Sequence, residues 1–170
     1  MEYVSSDTNV WIDLDVIDSL ELAFRSSLTY IMFRETIFQE MLYPENLNER
    51  LLSLGLQAVD ITVEELFYAD DVNNKYSRIS VHDSIALAIA KKRNIILLTG
   101  DKALRIAAEK EGVLVMGTIE LLDRLYNEHD INRSEYLNCI LQLHKNNNGK
   151  VRLPEDELIR RLKDFGEFNK

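Results

Sequence analysis

The stretch IILLTGD, residues 95–101, decides the fold class of this chain. It begins with a continuous run of apolar, β-prone residues, which is typical of a strand buried on both faces of a parallel sheet. Gly100 and Asp101 predict a turn, and residues 102–111 predict a helix that ends at Gly112. A buried strand that leads directly into a helix is the repeating unit of α/β folds.

The residues on either side continue this alternation. Residues 85–90 are apolar on nearly all sides, which predicts a buried helix that starts at Ser80 and is broken at Asn94. Further β-prone segments lie at residues 3–6, 57–63 and 113–116, with a short strand or turn at 30–33. The pattern predicts a three-layer α/β/α domain with a mainly parallel sheet over residues 1–127.

The remaining helices follow from the spacing of apolar residues. Apolar residues between Val16 and Phe24 recur every three or four positions, which predicts one helix after the first strand. Another helix is predicted to carry Glu40, and a third to cover residues 47–54. Two amphipathic helices in residues 128–170 predict a helical C-terminal extension packed on the domain.

The charge of the chain argues against a generic nucleic-acid binder. The 170 residues carry a net charge of −9, whereas residues 128–170 balance 8 acidic against 8 basic residues. Proteins that bind nucleic acid through a broad surface usually carry a basic face. Any nucleic-acid role is therefore expected to depend on a local site.

The cysteine content and the apolar runs bear on the compartment. Cys139 is the only cysteine and cannot form an internal disulfide, which favours a reducing compartment. The longest apolar run is about six residues, far short of the roughly 20 that span a bilayer. We therefore expect a cytoplasmic protein without a membrane segment.

Four acidic residues are the candidates for chemistry. Asp7 and Asp101 each follow a predicted strand, at the edge where ligands bind in open parallel sheets. Asp83 begins the buried helix, and Glu40 lies among apolar residues. Four carboxylates without basic partners repel one another unless a divalent cation lies between them. Ligands that are all oxygen atoms favour Mg²⁺ or Mn²⁺ over zinc.

Each acid also has a purely structural interpretation. Asp7 and Asp101 are suitable N-cap residues for the helices that follow them. Ser80 and Asp83 fit a capping box in which Asp replaces the usual Glu or Gln. Glu40 can be a solvated helix residue. The sequence alone leaves these alternatives open.

Four short motifs resemble those of the PIN-domain family, in the same order and at the usual spacing. They are SDTNV at 6–10, TIFQEM at 36–41, SVHDSIALA at 80–88 and LLTGDKAL at 97–104. Each motif is weak alone, and the set of four in register is fairly specific. The resemblance covers residues 2 to about 120, and the helical tail is similar to a prokaryotic subgroup with a C-terminal extension.

The resemblance implies an Mg²⁺- or Mn²⁺-dependent endoribonuclease. The catalytic and metal-binding residues it implies are Asp7, Glu40, Asp83 and Asp101. The residues expected to orient these carboxylates or a water are Thr8, Asn9 and Thr99, and those expected to bind substrate phosphate are Lys102 and Arg105. Many prokaryotic members are toxins paired with an antitoxin protein, and members commonly form homodimers.

One departure from the family pattern and two alternatives remain. Many members carry a further acid shortly after the last motif, whereas residues 102–105 are KALR here, which puts a second metal ion in doubt. A haloacid-dehalogenase phosphatase needs an acid two residues after its nucleophile, and that position is Asn9. The other alternative is a non-catalytic PIN-like module that binds RNA or protein.

Overall fold

The computed structural model describes residues 1–167 and contains one five-stranded sheet. All its neighbouring strands are parallel, in the order β3-β2-β1-β4-β5. The strands are β1 (Glu2–Ser6), β2 (Leu28–Phe33), β3 (Gln57–Val59), β4 (Ile96–Leu98) and β5 (Val115–Met116). Helices flank the sheet, so the predicted three-layer α/β/α fold is confirmed.

Ten helices connect and follow the strands within the described residues. They are α1 (Thr8–Val16), α2 (Leu20–Ala23), α3 (Arg34–Gln39), α4 (Leu47–Leu54), α5 (Val63–Lys75), α6 (Val81–Arg93), α7 (Lys102–Lys110), α8 (Thr118–Asn127), α9 (Arg133–Asn146) and α10 (Glu155–Asp164). Within residues 1–167 we find no helix that is both long and apolar enough to cross a bilayer.

The strand order places a topological switch point between β1 and β4. The chain runs outward from β1 through β2 to β3, and then returns to add β4 and β5 on the other side of β1. β1 and β4 pair directly, and the backbone N–H of Asp7 donates to the carbonyl of Leu98 at 2.9 Å. The segments after these two strands therefore border the crevice where ligands bind in open α/β sheets.

Helix α6 is the buried helix that its apolar sequence predicts. Residues 84–90 are all buried, and the helix contacts β1, β2 and β4. Its first turn is closed by a capping box between Ser80 and Asp83. It ends at Asn94 in the left-handed conformation, which asparagine tolerates better than most residues. The predicted start and end are both confirmed.

Two predicted elements are interrupted or shortened in the structure by a local conformation. The helix predicted across 16–24 is broken, because Asp18 adopts a φ of 53° between α1 and α2. The strand predicted over 57–63 ends at Val59, since the Thr62 hydroxyl accepts a hydrogen bond from the Glu65 N–H and caps α5. In both places a local capping or turn conformation outweighed the apolar periodicity.

Contacts within the chain group it into two compact units. One unit comprises residues 1–10 and 27–116 and contains the whole sheet, and the other comprises residues 11–26 and the chain from Gly117 onward. In the second unit α9 packs against α8 and α10. The division into residues 1–127 and 128–170, with the second part packed on the first, stays a prediction.

Candidate active site

The four acidic residues of the predicted site all belong to the unit that contains the sheet. Asp7 directly follows β1, Asp101 comes shortly after β4, Asp83 lies in the first turn of α6, and Glu40 follows α3. Their charges interact. The charges of Asp83 and Glu40 raise the pKa of Asp7, and those of Asp101 and Glu40 raise the pKa of Asp83. The fold thus brings four carboxylates from distant parts of the sequence to one edge of the sheet.

Asp7 is the most buried member of this group, with 6% of its surface exposed. Its Oδ1 accepts from the Thr8 N–H at 2.8 Å, and its Oδ2 accepts from the Thr99 hydroxyl at 2.8 Å. Burial and the Asp83 charge raise the pKa of Asp7 to about 7, although these hydrogen bonds oppose the shift. Neither bond is the N-cap bond to the second or third residue of a helix.

Asp83 and Asp101 do cap helices, as their structural interpretation predicts. Asp83 Oδ2 accepts from the Ser80 N–H at 2.8 Å, and Asp101 Oδ1 accepts from the Leu104 N–H at 2.8 Å. Within residues 1–167 the other oxygen of each carboxylate, Asp83 Oδ1 and Asp101 Oδ2, accepts no hydrogen bond. Each residue therefore has one oxygen for capping and one left for a ligand.

The pKa of Asp83 is raised for reasons that link it to the other acids. Burial has the largest effect, and the negative charges of Asp101 and Glu40 add to it. The capping hydrogen bonds from Ser80 act in the opposite direction. The capping carboxylate of Asp83 therefore lies close enough to Asp101 and Glu40 to feel their charges.

Glu40 is placed differently from its prediction. Helix α3 ends at Gln39, so Glu40 lies just beyond it, and its own N–H donates to the Thr36 carbonyl at 2.9 Å. Its side chain is exposed, and Oε2 accepts from the Thr8 hydroxyl at 3.2 Å. The prediction that Glu40 lies on a helix was wrong, because the helix ends one residue earlier.

The three predicted orienting residues each make a hydrogen bond at this edge. The Thr99 hydroxyl donates to Asp7 and also accepts from the Asp101 N–H at 3.1 Å, so it joins the two acids. The Thr8 hydroxyl donates to Glu40. Asn9 Oδ1 accepts from the Gly100 N–H at 3.2 Å and holds the turn after β4.

The two predicted phosphate-binding residues lie on α7. Lys102 is its first residue and is exposed. Arg105 is half-buried, and its backbone N–H donates to the Asp101 carbonyl at 2.9 Å. Their roles in binding phosphate stay predictions.

A contact near the site was not predicted. The Thr36 hydroxyl and His82 Nδ1 lie 2.7 Å apart and link α3 to α6, next to Glu40 and Asp83. The sequence carries no sign of this pairing, because the two residues are 46 positions apart.

The donor atoms are of the kind that binds a hard divalent cation, but their side chains are not grouped closely enough to form a complete ligand set among the described residues. Carboxylate and hydroxyl oxygens are the ligands that Mg²⁺ and Mn²⁺ prefer. In the part of the chain that the structure describes, however, no three His, Cys, Asp or Glu side chains are grouped closely enough to hold an ion. Binding by three of these carboxylates therefore requires side-chain movement.

Comparison with known proteins identifies the family. The model of a family described as a PIN domain, DUF3368, matches residues 3–167. No curated protein and no solved structure gives a significant match. PIN domains are generally nucleases, and they typically use divalent metal ions. Because the match extends over nearly the whole chain, this protein belongs to the PIN-domain family.

Proposed function

We propose that this protein is an Mg²⁺- or Mn²⁺-dependent endoribonuclease with Asp7, Glu40, Asp83 and Asp101 as its catalytic acids. The observation that carries the proposal is the position of these carboxylates at the switch point of the sheet, where burial and the charges of neighbouring acids raise the pKa values of Asp7 and Asp83. Within the described residues none of them makes an ion pair with a basic side chain. Such an arrangement is costly for a fold and suited to a divalent cation.

The residues at this edge have separate tasks in the proposed reaction. Asp7, Asp83 and Asp101 would hold the cation, which when bound lowers the pKa of a water and offsets negative charge on the phosphate. The Thr99 hydroxyl holds Asp7 in place and fixes the backbone of Asp101. The Glu40 side chain is exposed and, among the described residues, is hydrogen-bonded only to Thr8, so Glu40 is the acid best placed to move toward an incoming ligand.

The proposal is tested by metal-dependent cleavage of RNA. Purified protein should cleave single-stranded RNA when Mg²⁺ or Mn²⁺ is added and lose this activity with EDTA. Calorimetry with each metal, compared between the wild type and Asp7→Asn, should show binding that the substitution weakens. Absence of both metal binding and cleavage at millimolar metal would overturn the proposal.

The alternative function is a non-catalytic PIN-like module that binds RNA or a protein. The observation that favours it is the lack of a close group of three ligands within residues 1–167, together with the capping roles of Asp83 and Asp101. This module would bind RNA equally with and without a divalent metal and would never cleave it. Metal-dependent turnover separates the two functions.

The proposed partners follow from the family and from the surface. We propose that the protein forms a homodimer and is located in the cytoplasm. We also propose that it is a toxin whose partner is an antitoxin protein. Val63, Leu66 and Phe67 support a protein contact, because they form an exposed apolar face on α5. A homodimer should sediment as such at tens of micromolar, and a monomer at that concentration would contradict it.

A further inference from the structure

A cavity of about 510 Å³ lies between the connection from α5 to α6 and the first turns of α7. It adjoins the end of the sheet where Asp7, Glu40, Asp83 and Asp101 lie, which we call the acidic edge. Its walls include Tyr76 and Arg78 from that connection, and Lys102 and Ile106 from α7. Lys75, the last residue of α5, also lines the cavity and is its third basic residue beside Arg78 and Lys102. We call this cavity the basic groove.

Both walls of the basic groove continue directly into the candidate active site. Lys102 is the residue after Asp101. On the other wall Ile79 precedes Ser80, whose backbone N–H is bonded to Asp83. Because Lys102 adjoins Asp101 and Ile79 adjoins Ser80, the groove borders the candidate active site along both of these segments.

The charge of the basic groove contrasts with that of the rest of the chain. The protein carries −9, yet three cations and no carboxylate line this cavity. Lys75 is engaged, because its ammonium donates to Glu111 at 2.9 Å. Arg78 and Lys102 are exposed, and within residues 1–167 neither has an ion pair or a side-chain hydrogen bond.

The groove also offers two apolar surfaces. The Tyr76 hydroxyl donates to Glu111 at 2.7 Å, which fixes the ring at the wall of the cavity. Ile106, on α7, also lines the cavity, and 42% of its surface is exposed. Flat aromatic and aliphatic surfaces beside cations are the features that bind single-stranded nucleic acid without reading its sequence.

We infer that the basic groove binds the RNA strand next to the phosphate that is cleaved. Arg78 and Lys102 hold a backbone phosphate through their positive charges, and Tyr76 and Ile106 pack against the adjoining nucleoside. The groove thereby supplies the positive charge that the acidic edge lacks. This inference rests on the proposed function, since it assigns a substrate to the same edge of the sheet.

The test measures RNA binding apart from cleavage. Anisotropy of a short fluorescein-labelled single-stranded RNA is followed in the Asp7→Asn background with Mg²⁺ present, from about 50 to 200 mM salt. Arg78→Gln and Lys102→Gln should each weaken binding about fivefold. Each should also reduce the slope of log K against log salt by about 0.7, the value for one phosphate contact on a single strand.

Two variants serve as controls. Lys110→Gln removes the same charge from the exposed far end of α7 and should leave both affinity and slope unchanged. Arg78→Lys keeps the charge and should stay close to the parent in slope. If Arg78→Gln and Lys102→Gln behave like Lys110→Gln, the inference is overturned.

Failure of this inference and failure of the proposed function give different results. If the wild type cleaves RNA and Arg78→Gln does not affect binding, the nuclease function is supported and RNA binding by the groove is rejected. If Arg78→Gln weakens binding and the wild type does not cleave RNA in Mg²⁺ or Mn²⁺, RNA binding by the groove is supported and the nuclease function is rejected.

Discussion

The surroundings of Asp7 at the acidic edge and those of Glu65 and Glu111 elsewhere in the same unit shift the carboxylate pKa in opposite directions. Burial would raise the pKa of Glu65, but hydrogen bonds from Arg93 and from the Thr62 backbone and the Arg93 charge lower it below its ordinary value. Hydrogen bonds from Tyr76, Tyr68 and Lys75 lower the pKa of Glu111 to about 2. Asp7, by contrast, has a pKa raised to about 7.

This contrast separates carboxylates that stabilise the fold from those that cost it stability. Glu65 is 1% exposed and joins the capping box of α5 to Arg93 at 2.9 Å. Asp7 is nearly as buried and faces other acids instead of a cation. Unfavourable arrangements of this kind persist mainly where function requires them.

The largest expected effect is on catalysis by Asp7→Asn. This substitution should reduce RNA cleavage by a factor of about 10³ or more, because it removes a charged ligand from the site. It should leave the protein as stable or more stable at pH 8, since it relieves repulsion. Initial cleavage rates and thermal unfolding of the same preparations measure both effects.

The matched control for Asp7→Asn is Asp70→Asn, an exposed acid on α5. It removes the same charge and should change neither rate nor stability. A fully active Asp7→Asn protein would show that the acidic edge is not catalytic, and an unfolded one would show that Asp7 has a structural role.

The next largest effect is on stability, at a paired carboxylate. Glu65→Ala should lower the free energy of unfolding by about 3 kcal/mol, because it leaves Arg93 without its partner and opens the capping box of α5. Urea unfolding measures this change. Glu64→Ala, at the exposed neighbouring position, should cost well under 1 kcal/mol by the usual size of exposed helix-terminus charges. Equal losses in the two variants would contradict a stabilising role for the ion pair between Glu65 and Arg93.

A pH effect is expected at Asp13, a buried acid of the second unit. Burial raises the pKa of Asp13 from 3.8 to about 6, although a hydrogen bond from the Thr118 hydroxyl opposes the shift. The folded state therefore holds this proton more tightly than the unfolded chain does. Acidification from pH 6 toward pH 4 should stabilise the fold through this residue, by at most about 3 kcal/mol.

Asp13→Asn should remove this pH dependence and raise the free energy of unfolding at pH 8. An asparagine oxygen can still accept from Thr118, so the change acts mainly through charge. Chemical unfolding at several pH values, with the exposed Asp156→Asn as control, tests it. Parallel pH profiles for wild type and Asp13→Asn would contradict the prediction.

The smallest expected effect on stability is at Asp101, where it distinguishes the capping role from the catalytic one. Asp101→Asn preserves an acceptor for the Leu104 N–H, so stability should hardly change, whereas Asp101→Ala should cost about 1 kcal/mol. Both should lose cleavage if the carboxylate is catalytic. An active Asp101→Asn protein with normal stability would leave Asp101 only its capping role.

Much of the fold could be predicted from the sequence because local patterns dictate it. The apolar run before Thr99 becomes β4, and residues 84–90 become the buried part of α6. The capping box between Ser80 and Asp83 depends on residues three positions apart, which a sequence displays directly. The predicted helix across Asp18 failed because a single left-handed residue interrupts a periodic pattern.

The candidate site could be predicted only in part. Four motifs indicated its acids and the threonines beside them, and their catalytic roles stay predictions. No pattern indicated that Thr36 contacts His82, or that Arg78 lines a cavity with Lys102. The exposed side chain of Glu40 agrees with its interpretation as a solvated residue, although the helix ends one residue before it.

The sequence by itself determined the alternation of strands and helices, the caps and the order of the acidic motifs, since all of these depend on near neighbours along the chain. Only the tertiary structure decided that β1 lies beside β4, and so that Asp7 and Asp101 border one crevice. It also decided that the Asp83 and Glu40 charges act on a buried Asp7. Strand order and burial arise from packing between distant segments, which no local periodicity encodes.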